Sequence, residues 1–236
     1  MRIFDPEGPL MTALSKLSDV VFCNIMFCVC SLPLITIGPA LAALYECTMS
    51  IVEDMEERSM FKQYWSRFRK HMKQGIVLWL ICLGIILILT VYAAAVNSLD
   101  GALGRSYKVV LFLLVFLFAA GFQYVFPVQA MMELRVRDVL KTAWLISASA
   151  LPYTLGMLVI AGAAVYVSVF MGPDTLYKAV FLWAVIGFGL VAYLQSFLLR
   201  LAFRRYRRMQ GIPDEAELPD PWETENSEDS DHDETV

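Results

Sequence analysis

Six polar side chains lie in or beside long apolar runs and are the ones whose type could do chemistry: Asn24, Glu46, Gln123, Gln129, Glu133 and Gln195. An ionisable group at membrane depth often marks a pathway or a coupling site, which makes Glu46 the first candidate. Gln129 and Glu133 stand four apart, share one helical face and form the second. The competing reading is weak hydrogen bonding between helices, the usual employment of polar side chains in lipid. Catalysis finds little footing, because no His-Glu-x-x-His, Gly-x-x-x-x-Gly-Lys-Ser/Thr or Gly-x-Ser-x-Gly occurs. His71 and His232 give a histidine-based metal cluster nothing to build on. No enzyme, no metal site and no cofactor is expected.

A second set of residues points to contact rather than reaction. In MFKQYWSRFRKHMKQ, Phe61, Trp65, Phe68 and Met72 fall at i, i+4, i+7 and i+11, and Arg67, Arg69, Lys70 and Lys73 cover much of the remainder. Aromatics on one side and Lys/Arg on the other suit an interfacial helix on anionic lipid at the inner leaflet. The same face suits a cytoplasmic protein partner. Its aromatics make nucleic acid the poorer fit, and none is expected.

Such groups need a scaffold, and composition says which. Of 236 residues, 58% are hydrophobic and 18% charged, against about 45–50% and about 25% in soluble domains. Mean hydropathy is +0.58. The formal charge of −4 averages two unlike parts: residues 214–236 carry eleven acidic side chains and no Lys or Arg, leaving the body at about +7. The expected domains are a helical membrane body, 1–212, and a disordered acidic tail, 213–236. Five cysteines, none in a Cys-x-x-Cys pair, read as small buried thiols rather than a disulfide frame. The N-terminus lacks the signature of a cleaved signal peptide, so the first span is expected to stay.

Apolar runs of about twenty residues cross about 30 Å of hydrocarbon. The expected fold is all-α and polytopic, with about five transmembrane helices near 17–37, 74–96, 107–128, 153–171 and 176–199, plus amphipathic helices at the interface. Pro33 and Gly38-Pro39 break the first run, and the freed carbonyls need partners that lipid lacks. Residues 39–52 are short for a crossing and are expected to be re-entrant or interfacial; if they cross, the N-terminus moves inside. Ser59 is expected to cap the basic helix, and Gly172-Pro173-Asp174 to form a tight turn. Leu32-Pro33-Leu-Ile-Thr36-Ile-Gly38 has a faint echo in Leu151-Pro152-Tyr-Thr154-Leu-Gly156. Fourteen of the nineteen Lys/Arg fall on one side of the five-span arrangement. That side should be cytoplasmic, with the C-terminus inside and the N-terminus outside.

Phe4-Asp-Pro-Glu-Gly-Pro-Leu10, followed by Ser31-Leu-Pro-Leu-Ile-Thr-Ile-Gly-Pro-Ala-Leu-Ala-Ala-Leu-Tyr45, resembles the YesL-like family of bacterial integral membrane proteins. Phe61–Lys73 and Gln74-Gly-Ile-Val-Leu-Trp79 extend the likeness, which runs to about residue 205 and leaves out the acidic tail. The resemblance implies a small multi-pass protein of the bacterial cell membrane, often encoded beside carbohydrate uptake systems of the ATP-binding-cassette type. It supplies no site residues. The expected function is a non-enzymatic accessory protein that contacts transporter subunits. The alternative is a small transporter or channel, with Asn24, Glu46 and Gln123 along its pathway.

Overall fold

A computed structural model of the chain describes residues 9–53, 60–98, 101–132, 134–170 and 180–211. Arg58, Ser59, Glu133, the Gly172-Pro173-Asp174 turn and the acidic tail lie outside them. Among the described residues the fold is all-helical: α1 (Pro9–Cys30), a 3-10 turn (Leu34–Thr36), α2 (Ile37–Val52), α3 (Met60–Asn97), α4 (Gly101–Met131), α5 (Val136–Ser149) and α6 (Leu151–Phe170). The last helix, α7 (Val180–Met209), contains a π-helical turn at Trp183–Gly187.

Six segments are long and apolar enough to cross a membrane: Met11–Cys30, Leu34–Val52, Met60–Asn97, Leu103–Met131, Leu151–Ser168 and Val180–Met209. The one added to the five runs read from sequence is Leu34–Val52. Its length comes from the 3-10 turn and Ile37-Gly38, which join Pro39 to the preceding run. Side chains such as Ile88 (68% exposed), Phe112 (74%) and Phe181 (70%) form an apolar exterior far beyond what a water-soluble surface carries.

α2 is the axis of the bundle. Its Ala40, Ala42, Ala43, Leu44 and Cys47 are enclosed, and it packs on α1, α3, α4 and α7. It runs antiparallel to the first half of α3: Gly38 lies on Gly75 and Trp79, and Glu46 on Arg67 and His71. It runs alongside α7 in the same direction, with Tyr45 on Gln195 and Thr48 on Ser196. α1 runs antiparallel to α7, with Asn24 on Ala184 and Val20 on Gly189. α6 does likewise, with Met157 on Gln195 and Gly156 on Leu198.

The break between α1 and α2 satisfies its carbonyls internally. Thr36 shares its hydroxyl proton between Cys30 O and Pro33 O, both at 2.7 Å. Trp79 Nε1 donates to Leu34 O at 2.8 Å, and the Tyr64 hydroxyl donates to Ala40 O at 3.0 Å. At the second break, Thr154 likewise reaches Ser147 O and Ala150 O. The two echoing motifs therefore share a device: a threonine past a proline gives its hydroxyl proton to a carbonyl near the end of the preceding helix, Cys30 O in one and Ser147 O in the other. Pro127 sits inside α4, which continues to Met131. Four of the cysteines are buried and Cys28 is half-buried; all five are free thiols.

Candidate functional site

Two ion pairs join α2 to α3. Residues 63, 67 and 71 of α3 follow one another at i, i+4 and i+8, and 46 and 50 of α2 are one turn apart, so two helical stripes meet. Glu46 Oε2 lies 2.6 Å from His71 Nε2, and Glu46 Oε1 lies 3.4 Å from Arg67 Nε. Arg67 Nη2 donates to Ser50 Oγ at 2.8 Å, and Ser50 Oγ donates to Glu46 O at 3.0 Å. Gln129 Nε2 donates to His71 O at 3.3 Å, bringing α4 onto the cluster. The Glu46, Arg67 and His71 side chains are 19%, 12% and 5% exposed. A carboxylate so placed is neutralised by its own neighbours, as charges withdrawn from water must be.

The other sequence candidates are dispersed. Asn24 is fully buried on α1 and attends to the π-turn of α7. Its Nδ2 donates to Trp183 O (3.2 Å) and Ala184 O (2.7 Å), while its Oδ1 accepts from the Gly189 N–H (2.8 Å). A π-turn misaligns successive carbonyls, and this amide supplies the donors they lack. Gln195 accepts from the Tyr45 hydroxyl at 2.6 Å and donates to Met157 O, linking α2, α6 and α7. The side-chain oxygens of Gln123 and Gln129 are buried and have no protein hydrogen-bond partner. Glu133 lies outside the described residues.

The aromatic-basic segment is divided between core and exterior. Phe61 (54% exposed) and Trp65 (40%) face outward, and the Arg69 guanidinium lies 5.1 Å over the Trp65 ring. Lys62 and Lys70 are also exposed. Phe68 is buried with Tyr64, and Arg67 is turned in toward Glu46. The outward contact set therefore keeps Phe61, Trp65, Arg69 and Lys70 and loses Phe68 and Arg67 to the interior. The buried face of α3 follows Tyr64, Phe68, His71, Gly75, Leu78 and Cys82, a stripe in which sequence reading passed over His71 and Gly75. The spacing of Glu46 and Ser50 against Arg67 and His71 was the available signal, but it required knowing that α2 and α3 pair.

The helices and their apolar exterior define a multi-pass membrane protein. A family described as "Protein of unknown function, DUF624" matches residues 20–92, which hold the second half of α1, the break, α2 and α3 as far as Tyr92. No curated protein and no solved structure matches the chain.

Proposed function

We propose that this chain is a non-enzymatic accessory protein of the bacterial cell membrane, whose cytoplasmic end contacts a subunit of a carbohydrate importer of the ATP-binding-cassette type. The observation that carries the reading is the division of Met60–Lys73. Its inner charges are consumed by Glu46, while Phe61, Trp65 and Arg69 face outward. The partner class comes from the resemblance of Phe4–Leu10 and Ser31–Tyr45 to the YesL-like family.

Both ends of the bundle lie on the cytoplasmic face in this reading, with the α1–α2 break reaching only as far as Trp79, about halfway along α3. The antiparallel packing of α1 on α7 supports it, since the start of α1 then shares a side with the arginine-rich end of α7. That arrangement replaces the five-span one with an outside N-terminus. It puts sixteen of nineteen Lys/Arg inside and leaves only Arg105, Lys108 and Lys178 outside, a sharper bias. The 38 residues of α3 make a rod about 57 Å long, nearly twice the hydrocarbon thickness of about 30 Å. Its basic first half accordingly lies at and beyond the inner interface, against anionic lipid and the partner.

A photo-crosslinking amino acid at Phe61 or Trp65 in living cells should capture a transporter subunit, and the same residue at Leu87 should not. Capture of lipid alone from both positions overturns the reading. The alternative, a transporter in its own right, draws on the buried Glu46–His71 pair and the partnerless oxygens of Gln123 and Gln129. It requires solute flux in vesicles holding this chain alone, diminished by Glu46→Gln.

A further inference from the structure

α6 and α7 touch at two levels and part between them. At one level Gly156 packs on Leu198 and Gln195 donates to Met157 O; at the other Trp183 Nε1 donates to Ser168 Oγ at 2.6 Å. Between these lies a groove of about 380 Å³, walled by residues that include Ala163, Ala164 and Val167 of α6 and Ile186, Leu190 and Leu194 of α7. Small residues open it on one side. On the other, the π-turn held by Asn24 re-aims the wall, and the Trp183 ring folds back over Gly187, where a Cβ would meet it at 2.7 Å.

We propose that this groove is a binding site for one acyl chain of a membrane phospholipid. Its wall runs from Leu182 to Leu194, about 18 Å of helix, close to the depth of one leaflet, about 15 Å. Spread over that length, 380 Å³ leaves a cross-section of about 20 Å², whereas a helix of about 10–12 Å diameter needs about 80–110 Å². A single extended hydrocarbon chain is thin enough to lie within the groove, whereas a partner helix could only lie across its mouth. Polar ligands are excluded. Ser168 donates its proton to Ala164 O and accepts from Trp183, so these two polar groups of the wall are already engaged, and a buried polar ligand would go unsatisfied. The groove is continuous with the lipid-facing band, since Val167 (53% exposed) and Leu182 (46%) stand at its edge. It occupies the half of α7 remote from the arginine cluster and is independent of the contact face on α3.

The test uses the full chain, reconstituted in vesicles of phosphatidylcholine and phosphatidylglycerol, re-extracted in mild detergent and weighed intact. The wild type should retain one phospholipid per chain. Ala164→Phe and Ala163→Phe fill the groove with a ring displacing several methylenes, and should lower retention by about tenfold or more. Ala94→Phe, on the exposed surface of α3, should leave it unchanged. Because Ala163 is itself exposed, its substitution decides the matter even if Ala164→Phe fails to fold. A wild-type chain that emerges bare, equal retention in all four proteins, or a mass corresponding to two chains packed through this face overturns the proposal.

Discussion

Gly38 and Gly75 meet backbone to backbone where α2 starts along α3. A Cβ on Gly75 would lie 2.7 Å from Pro39 N and 2.8 Å from Pro39 Cα, and one on Gly38 would lie 2.7 Å from Trp79 Cβ. Helix propensity alone favours alanine over glycine by about 1 kcal/mol. At this crossing the overlap falls on backbone, and overpacking of about 1–3 kcal/mol outweighs it. Gly75→Ala should therefore lower the thermal midpoint in detergent. Gly84→Ala, with nothing within 4 Å of its Cβ, should leave it unchanged or raise it. Equal effects at the two positions would remove the α2–α3 crossing from the account.

Glu46 stands between His71 and Arg67, and Glu46→Gln keeps its shape while removing its charge. The Arg67 guanidinium then loses its anion and His71 its carboxylate partner. Loss of charged hydrogen bonds costs about 1.5–3 kcal/mol, below the cost for a completely buried pair because some water reaches these groups. A double-mutant cycle with His71→Gln should return a coupling of about 1 kcal/mol or more, read from unfolding midpoints. Additive losses would mean that the pair is incidental.

Asn24 holds two carbonyls and one amide of the π-turn region. Asn24→Leu keeps the volume and deletes all three bonds, each worth about 0.6–1.7 kcal/mol between membrane helices. The midpoint should fall, and the Trp183 emission should shift as its bond to Ser168 loosens. An unchanged midpoint would mean that the turn is held by packing alone.

Phe61 and Phe68 separate contact from stability. Phe68→Ala empties a core position and should cost about 3–5 kcal/mol. Phe61→Ala, at a side chain 54% exposed, should stay within about 0.5 kcal/mol yet reduce partner recovery in co-purification. Recovery unchanged by Phe61→Ala and Trp65→Ala together would take the contact surface elsewhere.

How legible was this in the residues? The long apolar runs were, because hydrocarbon demands length and internal hydrogen bonding and little else. The break at Pro33 and Gly38-Pro39 was equally plain, down to its need for carbonyl partners, although Thr36, Trp79 and Tyr64 could not be named as the donors. α2 was underestimated as residues 39–52 because proline marked its start and hid the 3-10 turn before it. In the aromatic-basic segment the periodicity of Phe61, Trp65 and Phe68 was real, but Tyr64 and His71 define the buried stripe. A one-dimensional stripe cannot tell which of two adjacent faces meets protein. Glu46 was singled out for its depth, and its partners lay 21 and 25 positions further on, beyond any local spacing rule.

Thiol labelling of intact cells tests the central claim, a basic cytoplasmic face shared by both ends of the bundle. Single cysteines would replace Met11 on α1, Ser66 beside Trp65, and Ser98 at the end of α3, all exposed positions. A membrane-impermeant maleimide should label Ser98→Cys from outside and reach Met11→Cys and Ser66→Cys only after the cells are opened. Labelling of Met11→Cys or Ser66→Cys in sealed cells would contradict it.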